Sequence, residues 1–302
     1  MSGVGGGELQ WPALLWEEWA ATADTLHMWT QIVGKTRLAL TPLQNHWWNV
    51  PLYVTAHGLG TSAMVCGEDV LDIEFDFVAH VLHLRLGSGA DKTMKLRPQT
   101  VADFYLEYRE CLDALGVPVK INPMPVEVAN PIRFDLDTEH ASYDPEYAHR
   151  FWQVLVQAEK VFRAWGTGFL GKVSPVHFFW GSFDLAVTRF SGRPAPPRPG
   201  ADKIQREAYS HEVISAGFWP GNGGYGAAAF YCYAAPVPEG LAEARIRPTS
   251  AGGDKGLGEF IFKYDALLRE TSPEKALMEF LESAYAAAAD AAKWDRAALE
   301  RR

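Results

Sequence analysis

The chain reads as an α+β protein in which antiparallel sheets are flanked by helices. Three observations predict this. Short runs of alternating aromatic and aliphatic residues are separated by Gly, Pro and Asn turns. Longer stretches carry apolar residues at helical spacing behind recognisable caps. The order of elements is helix, strands, helix, then helix, strands, helix.

Taken in order, Trp11 to Leu40 is expected to be helical. Pro12 suits a first helical position, and Leu15, Trp19, Leu26, Trp29 and Val33 form a stripe. Gly34 is a candidate kink, and Pro42 and Asn45 end the element. His46 to His57 alternates as a strand, with Trp48, Val50, Leu52 and Val54 on one face. Ile73 to Phe77, Val81 to Leu86 and Thr93 to Leu96 form a meander, with a Gly87-Ser88-Gly89 turn between the last two. Thr100 with Asp103 makes a capping box for a helix that stops at Gly116. An extended, proline-punctuated stretch follows to Asp137. Asp144 and Pro145 then start a second strong helix with Phe151, Leu155, Phe162 and Trp165 on its stripe. Val176 to Phe190 reads as one long strand, Gly192 to Gly200 as a surface connection. Tyr209 to Phe218, Ala228 to Tyr233 and Glu259 to Tyr264 read as strands. A last helix runs from Ser272 and Pro273 to about Lys293.

This divides the chain into a glycine-rich leader at 1–10, a first α+β lobe at 11–137 and a second at 138–302, packed as one globular unit. Thr36 to Trp48 aligns without a gap on Thr167 to Phe179, pairing His46 with His177. That match suggests two degenerate tandem α-β-meander-α repeats.

Composition narrows the function. Hydrophobic residues make up 48% of 302, and the formal net charge is −9. The acidic balance argues against nucleic acid or an anionic membrane as partner. No apolar run is long enough for a transmembrane helix. Three scattered cysteines fit a reducing, cytoplasmic setting better than a disulfide framework. Aromatic residues reach 13%, with 11 Trp, and cluster beside histidines near 46–48, 177–180 and 209–219.

The segments LHMWTQIVGKTRLALTPLQNHWWNVPLYVT, HASYDPEYAHRFW, SPVHFFWGSFDLAVTRFSGR and REAYSHEVISAGFWPG together resemble a family of bacterial proteins catalogued as a domain of unknown function. The resemblance runs from about Trp11 to Leu299. It implies a shared fold and no chemistry, so candidate residues stand on their own.

His46, His177, His211 and Glu212 are the catalytic candidates. In the repeat picture His46 and His177 converge between the lobes, where small-molecule sites usually sit. Imidazoles with a carboxylate suit acid–base work or a divalent metal, with His46, His177 and His211 as ligands. A regular strand places Glu212 on the apolar face of Ile214, Ala216 and Phe218, the setting of a perturbed acid. The bland readings are histidines bonded to backbone at strand ends and a solvated or Arg-paired Glu212. Substrate-binding candidates are Lys35, Trp48, His140, Trp180, Asp184, Arg189 and Trp219. Lys35 and Arg189 would hold an anion, and the tryptophans would wall the pocket.

Gly221 to Gly226 reads GNGGYG, formally a dinucleotide fingerprint, but a strand pattern follows where a helix is required. No dinucleotide is expected; the better reading is a hairpin loop, a potential lid. The favoured expectation is an enzyme acting on a small polar or aromatic metabolite in an aromatic, His-lined cleft. The alternatives are a non-catalytic module binding a small molecule or peptide, and an oligomer-forming interaction protein.

Overall fold

The computed structural model describes residues 11–301, so the expected leader at 1–10 lies outside the described residues. Helix α1, Trp16–Leu40, is buried on almost every side from Trp19 to Arg37. It begins later than its apolar stripe suggests. The Trp11 ring packs on Phe230 and Tyr264, and the Pro12 carbonyl accepts the Tyr264 hydroxyl, so these residues serve tertiary contacts instead of a first turn. Gly34 does not kink the helix. A Cβ there would collide with the Trp180 indole, and the missing side chain lets that ring lie against α1.

The expected strand from His46 is not formed. Asn45–Trp47 is a turn of 3-10 helix with φ of 58° at His46 and 61° at Trp47. Local side-chain bonds outcompete the strand: the Asn49 amide group accepts from the Gln44 N–H and donates to Thr41. Extended pairing resumes in β1, Tyr53–Val54, and β2, Gly58–Gly60. Then come β3, Met64–Cys66, β4, Asp69–Asp76, β5, Val81–Leu86, and β6, Asp91–Lys95. The first sheet runs β1-β2-β4-β5-β6, with β3 on the other half of β4. The expected meander is its right-hand part.

Helix α2, Val101–Ala114, is capped by Thr100 as the capping box requires. Helix α3, Pro145–Thr167, is capped by Asp144. The long strand expected from Val176 to Phe190 is a hairpin. β7, His177–Phe179, turns through Gly181 and Ser182 into β8, Asp184–Pro194, with φ of 61° at Phe183. Gly-Ser was a turn signal hidden among aromatics. After α4, Lys203–Ala208, come β9, His211–Trp219, β10, Ala229–Ala235, β11, Gly252–Asp254, and β12, Glu259–Lys263. The chain ends in α5, Tyr264–Leu267, α6, Pro273–Ala291, and α7, Arg296–Leu299. The second sheet runs β11-β12-β10-β9-β8-β7, all antiparallel.

One apolar core contains residues of both halves, from Trp29, Ile73 and Phe104 to Phe162, Phe218 and Phe280. The halves also join through backbone: Leu52 and Phe178 exchange N–H···O bonds of 2.9 Å. The pairing of His46 with His177 does not extend to local structure, since one sits in a left-handed turn and the other opens a strand. Among the described residues no helix is long and apolar enough to cross a membrane.

Candidate functional site

Side chains alternate across a strand, so each strand of the second sheet has a core face and an outer face. Leu185, Val187, Ile214, Ala216, Phe218, Phe230 and Cys232 fill the core. The outer face is set by register into cross-strand rows. Phe179 pairs with Asp184; His177, Ala186, Gly217 and Tyr231 form the next row; Thr188, Ser215 and Tyr233 the next; Phe190, Val213 and Ala235 the last. Asp184 to Phe190 spans roughly 20 Å at strand rise. This face is polar, yet much of it is buried: Asp184, Ser215 and His177 are 8%, 3% and 1% exposed.

Its polar groups pair with one another. The Thr188 and Ser215 hydroxyls lie 2.9 Å apart, and those of Tyr209 and Tyr233 3.0 Å apart. Asp184 accepts from the hydroxyls of Ser182 and Tyr231. Tyr231 reaches Asp184 by crossing β9 over Gly217, where a Cβ would overlap both its hydroxyl and the Leu185 carbonyl. Burial raises the Asp184 carboxyl above its ordinary range despite these donors. Burial, and then the field of Asp184, lift Glu127, and burial, Asp184 and Asp254 bring Glu259 to about 7.

At the other end lies a histidine cluster. The ring of His46 is 4.6 Å from Phe190, 5.3 Å from Trp48 and 5.9 Å from His211. Its Nδ1 sits 3.2 Å from the carbonyls of Glu207 and Ala208, so Nδ1 carries the proton and donates. The lone pair of Nε2 then faces the Lys172 ammonium, which donates across 2.7 Å. Lys172 reaches this point because its carbonyl accepts the Phe190 N–H, which places it beside β8. Burial and the Lys172 charge hold His46 below its usual range, and desolvation lowers Lys172.

His177 stands at the rim between the rings of Trp48, Tyr53 and Phe179, at 5.8, 5.7 and 5.5 Å. Among the described residues neither of its ring nitrogens has a hydrogen-bond partner within the protein. Burial first, and then the neighbouring Arg37 charge, push it down to about 4. Trp48, Tyr53 and Phe179 are half-buried and form the open side of the face.

Sequence matching over residues 11–301 finds a family described as of unknown function, DUF5996. The chain belongs to DUF5996. No curated protein and no solved structure matches it. The DUF5996 chain therefore has to be read from its own residues.

Several expected site residues fall elsewhere. Arg189 lies on the core face, sandwiched 3.6 Å from the Trp165 ring centroid and 4.4 Å from that of Tyr285, with Glu282 at 3.7 Å. It is a packing residue and not an anion ligand. Glu212 shares the apolar face as expected, but Arg193 Nη2 sits 2.7 Å away and Ser191 donates to it. Arg193 also caps α6 by donating to the carbonyls of Ala292 and Lys293, so Glu212 anchors a helix end. His140 bonds Asp137 at 2.7 Å in the loop before α3. Trp180 donates to the Val50 carbonyl at 2.8 Å as a wedge against Gly34. Lys35 is buried between the rings of Phe134 and Trp180, at 6.0 and 5.9 Å. Trp219 donates to Asn222 at 2.6 Å, and Asn222 donates to the Ser182 carbonyl, pinning the glycine loop to the β7–β8 turn. That loop joins two antiparallel strands with no helix after it.

For the metal expectation, among the described residues no three His, Cys, Asp or Glu side chains gather as a ligand set. Trp48 lies between His46 and His177, and Lys172 occupies the free nitrogen of His46. Of two open clefts, one, bounded by Thr36, Tyr105, Arg109 and Lys120, lies off this face, and the other, bounded by Val213, Ala235, Pro236 and Trp294, adjoins its last row. Sequence reasoning missed Lys172, Tyr231, Tyr233 and Ser215. Period-two alternation in REAYSHEVISAGFW and AAAFYCYAAP was the available signal for the last three. Nothing local marked Lys172.

Proposed function

We propose that the outer face of the second sheet is an active site for a small polar or aromatic metabolite, with proton transfer as its chemistry. The observation that carries this is His177: a buried imidazole with two unpaired nitrogens, ringed by half-buried aromatic side chains. An unsatisfied buried polar group costs about 1–3 kcal/mol, which a hydrogen-bonding ligand on this face would offset. Trp48, Tyr53 and Phe179 would stack the ligand, His177 would hydrogen-bond it, and the Thr188–Ser215–Tyr233 hydroxyls would line the floor. His46, at the Phe190 end beside Trp48, would supply a proton acceptor; Asp184, roughly 20 Å away at the other end, is a buried carboxyl held by Ser182 and Tyr231. A binding module without catalysis is the second reading. It is favoured by His177 itself, whose low pKa suits hydrogen bonding better than proton exchange at pH 7.

The test is a thermal-shift and native mass spectrometry screen of metabolites on the wild type and on His177→Phe. The expected result is a compound that raises the melting temperature of the wild type, leaves His177→Phe unmoved, and is converted to product by the wild type. A compound that binds without conversion supports the binding module. A ligand that binds both proteins equally, with His177→Phe destabilised like a core cavity mutant, removes the site from this face.

A further inference from the structure

The His46–Lys172 pair has features that neither hydrogen bonding nor simple proton transfer requires. Lys172 is solvent-exposed, but its nitrogen lies over two aromatic faces, 5.0 Å from the Trp48 ring centroid and 4.8 Å from that of Phe190. Its hydrogen-bond partner is the lone pair of a neutral imidazole and not a carboxylate. That imidazole is locked in the accepting tautomer by the carbonyls of Glu207 and Ala208. The chain adopts positive φ at two successive non-glycine residues, His46 and Trp47, to place it there. Such conformations cost about 1–3 kcal/mol each and persist where the surroundings impose them. An ion-pairing lysine needs none of this. A lysine that must lose a proton and become a nucleophile uses these features: a base in contact, aromatic neighbours, and access to the open face.

We propose that Lys172 is an amine nucleophile that forms an iminium link with an aldehyde or ketone carbonyl, with His46 as its base. This rests on the reading of the outer face as a small-molecule site and names the substrate class. The steps balance without a further reactant. Nε2 of His46 takes one proton from the ammonium. The freed lone pair attacks the carbonyl carbon, a C–N bond forms, and the C=O π pair moves to oxygen. A proton passes from nitrogen to that oxygen, and the His46 imidazolium then delivers its proton so that oxygen leaves as water. The product is a protonated C=N with neutral His46 restored. The iminium is a cation, so the Trp48 and Phe190 faces that hold the ammonium also hold the product. Other charged or titratable groups facing the pair are His211 on β9 and Glu207 on α4. Glu207 raises the lysine and works against the effect; desolvation is the larger cause and lowers it.

The test is reductive trapping of the full chain with benzaldehyde and cyanoborohydride at pH 7, mapped by peptide mass spectrometry. Benzylation of Lys172 about tenfold or more faster than of Lys120 and Lys275, which are exposed like Lys172, is expected, within the roughly hundredfold or greater effect of a positioned base. His46→Asn, chosen because Asn tolerates positive φ, should abolish the selectivity while the protein stays folded. Lys172 labelling no faster than Lys120, or selectivity unchanged in His46→Asn, overturns the proposal. The readout needs no natural ligand. A metabolite that binds through His177 while Lys172 stays unreactive keeps the site and refutes the carbonyl chemistry. Selective, His46-dependent labelling with no role for His177 does the reverse.

Discussion

The two sheets share an antiparallel build and use their outer faces in opposite ways. In the first sheet, Leu71, Ile73, Phe75, Leu82 and Leu84 point to the core, and Asp72, Glu74 and Arg85 point to water. Its outer polar groups are solvated, and the Arg85 pairs with Asp72 and Glu74 at 3.3 and 2.9 Å are surface contacts. In the second sheet the corresponding positions are roofed by the 45–49 turn, α4 and the 220–227 loop. There Asp184, Ser215 and Tyr231 must find partners within the protein. The comparison teaches that polarity on a strand face locates nothing until one knows what covers it. Covered polarity costs free energy, and His177 shows that the cost is not fully offset.

The sharpest way to break the contrast is Gly217→Ala. The added methyl displaces Tyr231 from Asp184 and crowds the Leu185 carbonyl, so unfolding free energy should fall by about 3 kcal/mol. A loss under about 0.5 kcal/mol in denaturant titration would mean that Tyr231 does not cross β9.

An effect of similar size is expected in pH dependence. His177 is held at about 4, below its value near 6.5 in the unfolded chain. The unfolded state then binds more protons between these limits. The stability this histidine contributes is present above pH 6.5 and is lost as pH falls towards 4. The loss is about 3 kcal/mol across that window. His27, also held at about 4 by burial, adds a similar slope. Subtracting the His177→Phe profile from the wild-type one isolates the His177 share; superposable profiles would refute it.

At neutral pH His177→Phe itself should leave stability unchanged or raise it by about 1 kcal/mol, because no hydrogen bond is lost and two unpaired nitrogens are removed. The smallest effect belongs to the first sheet. Arg85→Ala should cost about 0.5 kcal/mol and less at high salt, as for exposed ion pairs. A larger, salt-independent cost would mean that this face too is structured by its charges.

Particular residues show how far the sequence was legible. Thr100, Asp144 and Gly116 punctuate helices through bonds to adjacent backbone, and those were readable. The 81–86 strand and its Gly87-Ser88-Gly89 turn were equally plain. His46 to His57 failed because its alternation was real but weaker than the Asn49 and Thr41 side-chain bonds. Val176 to Phe190 failed because aromatic density masked the four-residue turn from Trp180 to Phe183. Within the site, His46, Trp48, His177 and His211 were found together from their aromatic neighbourhoods. Arg189 and Glu212 were misjudged because a strand pattern gives a face without saying which partner waits there.

By itself the sequence determined the helix caps, the meander, the α+β class and the family, since each depends on residues a few positions apart or on matched linear order. Tertiary structure alone decided that Lys172 meets His46, that Tyr231 passes over Gly217 to Asp184, and that Arg189 is sealed among aromatic rings. Those partners stand 24 to 126 positions apart, along strands and turns whose register no local preference encodes. They form only when the whole core closes and the outer face of the second sheet acquires its roof.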